Sequence, residues 1–216
     1  MDRINKINGI GKPHSRHLLL NCRGYVSSPI FIPQMNTQEE FIEAVFAGNI
    51  ARTEELLKMG GRIGQDEILH CAVQSGNLEM LKFLLKSGGM EFIDQFDSLS
   101  FTPLTWAAKK GHIATIKLLL EAGASINAVD TRNIGNSTLR EVIGDGNIEV
   151  IQLLIDAGAD PHLPGWMQMT AIDKANSQWS NCESPLGRKV LALFKARETK
   201  AEKILSRAKA RKSGKR

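Results

Sequence analysis

The sequence predicts an all-α fold in which pairs of short helices repeat and stack in a row. Residues 101–130 read as two short amphipathic helices, each closed by a glycine. The same pattern recurs before and after this stretch, and its glycines stay in phase at two separate places in the unit. Because a single pair of short helices cannot bury its apolar surface alone, the recurrence predicts neighbours of the same kind.

The central unit shows why each element forms. Thr102 can cap free N–H groups of a helix, and the proline after it gives up only a donor that has no helical partner. A first helix is predicted near Leu104–Lys110, and Gly111 supplies the left-handed residue that ends it. A second helix near Ile113–Glu121 carries a wide apolar stripe, which predicts burial on two sides before Gly123 ends it.

Two sets of glycines keep one register along the chain. The interval from Gly48 to Gly76 is 28 residues, and the next two intervals are 35 residues each. A second set, 12 residues further along, repeats those intervals. Because both sets of glycines keep the same intervals, the pattern indicates real structural repeats. The first set ends first helices and the second set ends second helices: Gly48, Gly76, Gly111 and Gly146, then Gly60, Gly88, Gly123 and Gly158.

These residues resemble the ankyrin repeat. Residues Thr102–Asn127 contain TPL, AA, GH, LLL and GASIN in the order typical of that family. The family's TPLH reads TPLT here, while its histidine stands in ILHCA as His70, and TAIDKA at Thr170–Ala175 resembles the opening of a terminal repeat. The resemblance implies an ankyrin-repeat solenoid of about five helix-turn-helix units with short hairpin turns, at 36–64, 65–97, 98–132, 133–165 and 166–197.

The two ends of the chain differ from the repeats. Residues 1–35 lack periodicity and are predicted to be either disordered or a misassigned start, with translation beginning at Met35. In the last unit, Ser177–Glu183 is predicted to form a loop longer than the usual turn. A basic C-terminal helix is predicted at Leu186–Arg197, docked through Leu186, Val190, Leu193 and Phe194, and residues 198–216 form a basic helical or disordered tail.

Charge is segregated along the chain. Residues 1–36 hold five basic residues against one acidic residue, for a net charge of +4. Residues 37–186 hold 11 against 20, which gives −9, and residues 187–216 hold 12 against two, which gives +10. The repeats are therefore acidic, and the overall net charge of +5 comes from the ends.

The cysteines and the hydropathy of the sequence indicate the cellular compartment of the protein. Three widely spaced cysteines do not fit a disulfide framework and favour a reducing compartment. The apolar run at 18–20 is far too short for a signal-peptide core or a membrane span. We therefore expect a cytoplasmic protein with no membrane partner, or a nuclear one if the source has a nucleus. We also expect a monomer.

Catalytic motifs are missing from the sequence. It contains no GxSxG, no HExxH and no clustered Cys/His pair, and GIGKP at 9–13 lacks the spacing of a phosphate loop. Asp94 and Asp97 fall in a turn, where solvation explains them. The sequence therefore predicts a protein that is not an enzyme, with no catalytic residue, no metal site and no cofactor.

The resemblance implies that a protein partner, of unknown identity, is held by the turns between units, here called fingers, and by the exposed positions of the first helices. Large apolar residues in turns favour interfaces, unless they fold back onto their own hairpins. Trp106, inside a first helix, is instead predicted to pack. The predicted partner-binding residues are Leu99, Phe101, Lys109, Lys110, Ile134, Asn136, Asp145, Trp166, Met167 and Met169.

The tail leaves three alternatives open. Its lysines and arginines could contact nucleic-acid phosphates, although no aromatic residue follows Phe194 to stack on bases. It could be a nuclear-targeting segment, or a solubilising cap. Family analogy alone adds a bacterial toxin-neutralising or effector role. The predicted nucleic-acid residues are Arg207, Lys209, Arg211, Lys212, Lys215 and Arg216.

Overall fold

The computed structural model describes residues 37–132, 135–179, 187–197 and 199. This part of the chain is helical and contains no strand, as the sequence predicts. The predicted extension at 1–35, Ile134, Leu186 and the six basic tail residues lie outside it. The helices are α1 (Thr37–Phe46), α2 (Ile50–Lys58), α3 (Ile68–Gln74), α4 (Leu78–Lys86), α5 (Pro103–Lys110), α6 (Ile113–Glu121), α7 (Thr138–Ile143), α8 (Ile148–Asp156), α9 (Ala171–Trp179) and α10 (187–197).

The helices form consecutive pairs that stack in one direction. In the first four units, α1, α3, α5 and α7 each pack against the second helix of their own pair. The first helices also pack against one another in the order α1, α3, α5, α7 and α9, whereas the second helices contact mainly their own partners. The resemblance to ankyrin repeats implies that such an array curves toward its first helices, so the face that the first helices form is here called the concave face.

One continuous core runs through the stack. Leu104, Ile116 and Leu119 of the central unit are fully buried, in agreement with the predicted stripe. Leu118 is half-buried and packs against the same core, as expected for a helix covered on two sides. The core continues through Val190 and Phe194 of α10, so all five pairs share it.

The glycine register is confirmed by the backbone. The four glycines that end first helices have φ between 68° and 73°, and the four that end second helices have φ between 93° and 108°. Both ranges belong to the left-handed region that disfavours a side chain. At Gly123 an added Cβ would meet nothing within 4 Å, so backbone conformation alone requires glycine there.

The fourth residue of the TPLT-type motif is buried in three successive units. His70 Nε2 lies 3.0 Å from the Phe101 carbonyl oxygen of the next unit and donates to it. Thr105 Oγ1 lies 2.7 Å from Thr138 Oγ1, again across a unit boundary. Burial lowers the pKa of His70, and the nearby charge of Asp97 opposes this only in part. These buried polar groups fix the spacing of neighbouring units.

The end of the array corrects one prediction. Helix α9 extends to Trp179, so the predicted loop at Ser177–Glu183 is wrong at its start. Ser177 Oγ donates to the Lys174 carbonyl at 3.0 Å, and Gln178 Nε2 donates to the Gly144 carbonyl of the previous unit at 3.3 Å. These bonds hold the segment in a helix, although its polar composition alone suggests a loop.

Helix α10 closes the described part of the array. Val190 and Phe194 are buried and Leu193 is half-buried, which agrees with the predicted docking face. Arg197 donates to the Gly158 carbonyl at 3.1 Å and pairs with Asp160 at 3.7 Å. Among the described residues, no helix is both long and apolar enough to cross a membrane.

Candidate functional site

Two fingers precede first helices on the concave face. One spans Asp97–Phe101 before α5 and is closed by a backbone hydrogen bond of 2.9 Å from Asp97 N to Phe101 O. The other spans Gly165–Met169 before α9 and is closed by a bond of 3.1 Å from Gly165 N to Met169 O. Both match the short hairpin turns that the sequence predicts.

The finger tips carry large apolar side chains that face water. The exposed fractions are 58% for Leu99, 54% for Trp166 and 67% for Met167. Met169, at the base of its finger, is half-buried. Three of the predicted apolar residues are therefore open to contact. Phe101 folds back onto its own unit, and Ile134 lies outside the described residues.

Asp97 organises the first finger. Its Oδ1 accepts hydrogen bonds from Leu99 N at 2.9 Å and Phe101 N at 2.8 Å, and its Oδ2 accepts one from Trp106 Nε1 at 2.6 Å. The residue is only 6% exposed, so the prediction of a solvated turn acid is wrong. A buried carboxylate with three donors fixes the finger on helix α5.

An aromatic and cationic cluster joins this finger to the concave face. The rings of Phe101 and Trp106 meet edge to face, with centroids 5.6 Å apart and planes at 81°. Lys109 Nζ lies 5.4 Å from the Phe101 ring and Lys110 Nζ lies 5.9 Å from the Trp106 ring. Trp106 does pack against the core as predicted, yet it is half-buried and faces the same surface as the two lysines.

Hydrogen bonds link the fingers of neighbouring units. Ser98 N donates to Glu67 Oε1 at 3.0 Å, across the boundary between the second and third units. Ser100 Oγ donates to Asp130 Oδ2 at 3.0 Å, which ties this finger to the end of its own unit, just before the next turn. The finger row is thus held by side chains as well as by the helix stack.

Asn136 makes the corresponding link to the last finger. Its Oδ1 accepts from Trp166 N at 2.9 Å, and its amide nitrogen donates to Glu141. An added Cβ at Gly165 would lie 2.5 Å from that Oδ1, so only glycine allows the approach. Asn136, predicted as a partner contact, therefore also positions the backbone of Trp166.

The last finger holds its tip in a restrained conformation. Met167 and Gln168 have φ of 58° and 60°, in the left-handed region that residues other than glycine seldom adopt. Backbone bonds from Gln168 N to Gly165 O at 3.0 Å and from Met169 N to Trp166 O at 3.3 Å hold it there. Such conformations persist only where the surroundings impose them, and they cluster at functional sites.

Charged residues of α5, α7 and α9 lie side by side. Lys109 Nζ lies 3.8 Å from Glu141 Oε2 and 3.9 Å from Asp145 Oδ2, which brings two predicted contacts together. Lys174 of α9 belongs to the same group. Burial has the largest effect and lowers the pKa of Lys174. The positive charges of Arg140 and Lys109 lower it further, whereas the negative charges of Glu141 and Asp145 raise it.

The described residues offer little for other chemistry. Among them, no three His, Cys, Asp or Glu side chains lie close enough to hold a metal ion. Burial raises the pKa of the Cys71 thiol to about 11, so this cysteine is almost entirely in its unreactive thiol form at neutral pH.

Sequence reasoning missed four members of this surface: Asp97, Trp106, Glu141 and Lys174. The signal for Asp97 is local, because the side chain of an Asp in a turn commonly accepts a hydrogen bond from the backbone N–H two residues later. The other three occupy one repeat position, the residue that follows the fourth residue of the TPLT-type motif in three successive units. No local pattern marks Lys174, whose place depends on how α9 stacks on α7.

The sequence was compared with known protein families and with curated proteins. The family model of ankyrin repeats (three copies) matches residues 41–130. A search of curated proteins found no match. Ankyrin repeats are generally protein–protein interaction modules and are typically non-catalytic. Residues 41–130 are therefore ankyrin repeats, and in the described residues that follow the same all-α stacking continues through α9 and α10.

Proposed function

We propose that this protein is a non-catalytic binding module that holds a protein partner between its finger tips and the concave face of its first helices. The observation that carries this proposal is the exposure of Leu99, Trp166 and Met167, each more than half open to solvent at the tip of a hydrogen-bonded finger. Exposed large apolar residues on a fixed framework are typical of protein interfaces.

Preorganisation supports the proposal energetically. Binding costs free energy when loops and side chains must be ordered. Here Asp97 fixes one finger and Asn136 fixes the other, so little of that cost falls on binding. The Lys109, Glu141 and Asp145 group supplies a charged border beside the apolar tips, as expected for the polar rim of an interface.

The finger tips can be tested by truncation. A partner captured from native lysate and then purified should bind Trp166→Ala more weakly than the parent by more than about 1 kcal/mol, because tryptophan is a frequent energetic anchor. Met167→Ala should also weaken binding, by a smaller amount. Titration calorimetry with the purified partner measures both effects, and circular dichroism checks that helicity is unchanged.

Met59→Ala provides the matched control. Met59 is 61% exposed, close to the 67% of Met167, but it follows α2 and lies outside the fingers. Equal affinity of the parent, Trp166→Ala and Met167→Ala would remove these tips from the interface. A loss caused by Met59→Ala of the same size would show that binding does not depend on the fingers.

The basic tail is a separate hypothesis. Its six predicted nucleic-acid residues lie outside the described residues, so nucleic-acid binding stays a prediction from sequence. A cytoplasmic location likewise stays a prediction, which the three widely spaced cysteines favour. The monomeric state is also a prediction only.

A further inference from the structure

The last helix pair has no following pair in the described part of the chain, and its outward side is open. A groove of about 230 Å³ lies there between α9 and α10, here called the end groove. None of its lining residues belongs to the fingers. They are Ile172, Asn176, Leu191, Phe194 and Lys195.

Helix α9 shows that this side of a unit is covered elsewhere in the array. Ile172 and Asn176 are the third and seventh residues counted from the start of the TPLT-type motif. Ile172 is half-buried and Asn176 is exposed, although α9 packs on the preceding first helix as α5 and α7 do. What the last unit lacks is a following helix pair. In the three units that have one, residues at these positions are at most 2% exposed: Leu69, Leu104 and Leu139, then Val73, Ala108 and Ile143.

Helix α10 shows the same difference. Its residues Val190 and Phe194 are buried, whereas Leu191 is half-buried and Lys195 is exposed. Both helices of the last pair thus leave an apolar and a polar side chain on the open side. In α8 all four residues with this spacing are buried: Val150, Ile151, Leu154 and Ile155.

The first unit finishes the opposite end of the array differently. Its second helix has Arg52 as third residue, and the guanidinium pairs with Glu40 at 2.6 Å and Glu55 at 2.7 Å. Such ion pairs suit an end that faces water. The end formed by α9 and α10 instead keeps Ile172 and Leu191 partly open. In the second to fourth units the third residue of the second helix is buried: Met80, Thr115 and Val150.

The charge beside the end groove is positive. Residues 187–197 hold four basic residues and no acidic one. Arg197 pairs with Asp160, whereas no ion pair joins Arg188, Lys189 or Lys195 to another described residue. An occupant of the groove therefore needs apolar side chains for its floor and acidic side chains for its rim.

Other parts of this chain do not have that chemistry. The tail at 198–216 carries eight basic and two acidic residues, a net charge of +6, so the cationic α10 repels it. A second copy offers either another cationic α10 or its first unit. In that unit the ion pairs of Arg52 would be buried against Ile172 and Leu191, which is costly.

We propose that the end groove is a second binding surface, which takes one amphipathic helix with acidic residues beside its apolar stripe, supplied by a partner protein. Such a helix lays its apolar face into the groove as a following repeat would. Leu191, Ile172 and Phe194 contact its apolar side chains, and Lys195 contacts its acidic ones. This surface goes beyond the fingers and does not depend on them.

Synthetic peptides test the end groove in the full chain. The acidic probe is the amphipathic peptide AELLEELAELLEEL with blocked ends, and its basic counterpart has lysine in place of every glutamate. Each is titrated at low salt into protein with ¹³C-labelled isoleucine and leucine methyl groups. We expect the acidic peptide to shift the Ile172 and Leu191 signals saturably, with Kd below about 1 mM, and the basic peptide to leave them unchanged. Sodium chloride should weaken the binding.

A charge reversal is the decisive variant. Lys195→Glu, at an exposed position, should weaken the acidic peptide at least about fivefold and let the basic peptide bind. Lys86→Glu, at an exposed position of α4, is the matched control and should bind like the parent. Leu191→Ala should also weaken the acidic peptide at least about fivefold. If Leu191→Ala fails to fold, the charge reversal decides alone.

Several results would overturn the proposal. One is no shift of the Ile172 and Leu191 signals with the acidic peptide at about 1 mM. Another is equal affinity of the parent and Lys195→Glu. A change of the same signals in the peptide-free variant Ile204→Ser, Leu205→Ser would mean that the tail covers the groove.

Two further controls separate the end groove from other surfaces. Signals of Ile172 and Leu191 that change with protein concentration, together with a dimer in sedimentation, would make a second copy the occupant and overturn the proposal. Trp166→Ala should leave the peptide titration unchanged. Loss of the shifts in that variant would assign the peptide to the fingers, which also contradicts the proposal.

Discussion

Leu119→Ala is expected to lower the free energy of unfolding by about 2–5 kcal/mol. Leu119 is fully buried on α6, in the middle of a core that runs through all five helix pairs. Removing its side chain loses apolar burial and leaves a cavity that rigid neighbouring helices cannot fill completely. Urea denaturation followed by circular dichroism measures the loss, with the slope m checked to confirm that the transition stays cooperative.

Leu118→Ala is the matched control for this prediction. Leu118 is the preceding residue on the same helix and is only half-buried, so the same truncation should cost clearly less. A loss for Leu119→Ala well under about 1 kcal/mol, or one no larger than that of Leu118→Ala, would mean that the core described above does not carry the stability of the array.

Asp97→Ala is expected to cost about 2–4 kcal/mol, because it removes the acceptor of three hydrogen bonds at once. The Leu99 and Phe101 amides and the Trp106 indole N–H would lose their shared partner. Hydrogen bonds to a charged group are stronger than neutral ones, and unsatisfied buried donors carry a further penalty. Chemical denaturation gives the stability, and the near-ultraviolet signal of the tryptophans reports whether the Trp106 ring loses its fixed position.

Asp94→Ala separates this role from a general effect of removing a turn carboxylate. Asp94 lies three residues earlier in the same turn and accepts a single bond, from Ser125 N at 2.8 Å. We expect its replacement to cost less than about 1.5 kcal/mol. Similar losses for the two variants would show that Asp97 is not the residue that organises the finger.

The fold could be predicted from sequence because its determinants are local. Each of the helices α1 to α8 is followed within three residues by a glycine in the left-handed conformation, and that conformation depends only on the glycine and its immediate neighbours. Thr102 caps α5 by accepting from Thr105 N at 3.2 Å, within one turn. The helices α5 and α6 therefore begin and end where composition and spacing indicate, and the repeat of 35 residues supplies the stacking order.

The end of α9 was predicted wrongly because its structure depends on a contact across units. Gln178 reaches the carbonyl of Gly144, which lies 34 residues earlier in the chain. A segment as polar as Asn176–Gln178 reads as a loop when such a partner is unknown. Propensity is a weak guide wherever tertiary contacts decide the outcome.

The candidate site was only partly visible in the sequence for a related reason. Leu99, Trp166 and Met167 could be found because large apolar residues in a turn stand out by type and position. Asp97 was wrongly predicted to be solvated, because its position in a turn does not reveal that its carboxylate is buried against Trp106. Phe101 is an intermediate case, because its apolar character was visible while its edge-to-face contact with Trp106 was not.

Photo-crosslinking from single positions tests the central claim most directly. A photoreactive phenylalanine analogue is placed at Trp166 in one variant and at Met59 in another, and both are irradiated in native lysate at equal concentration. If the fingers hold a protein partner, position 166 should give a discrete adduct with one protein, and position 59 should give none of that protein. The same adduct pattern from both positions, or no adduct from position 166 in a correctly folded variant, would contradict the account.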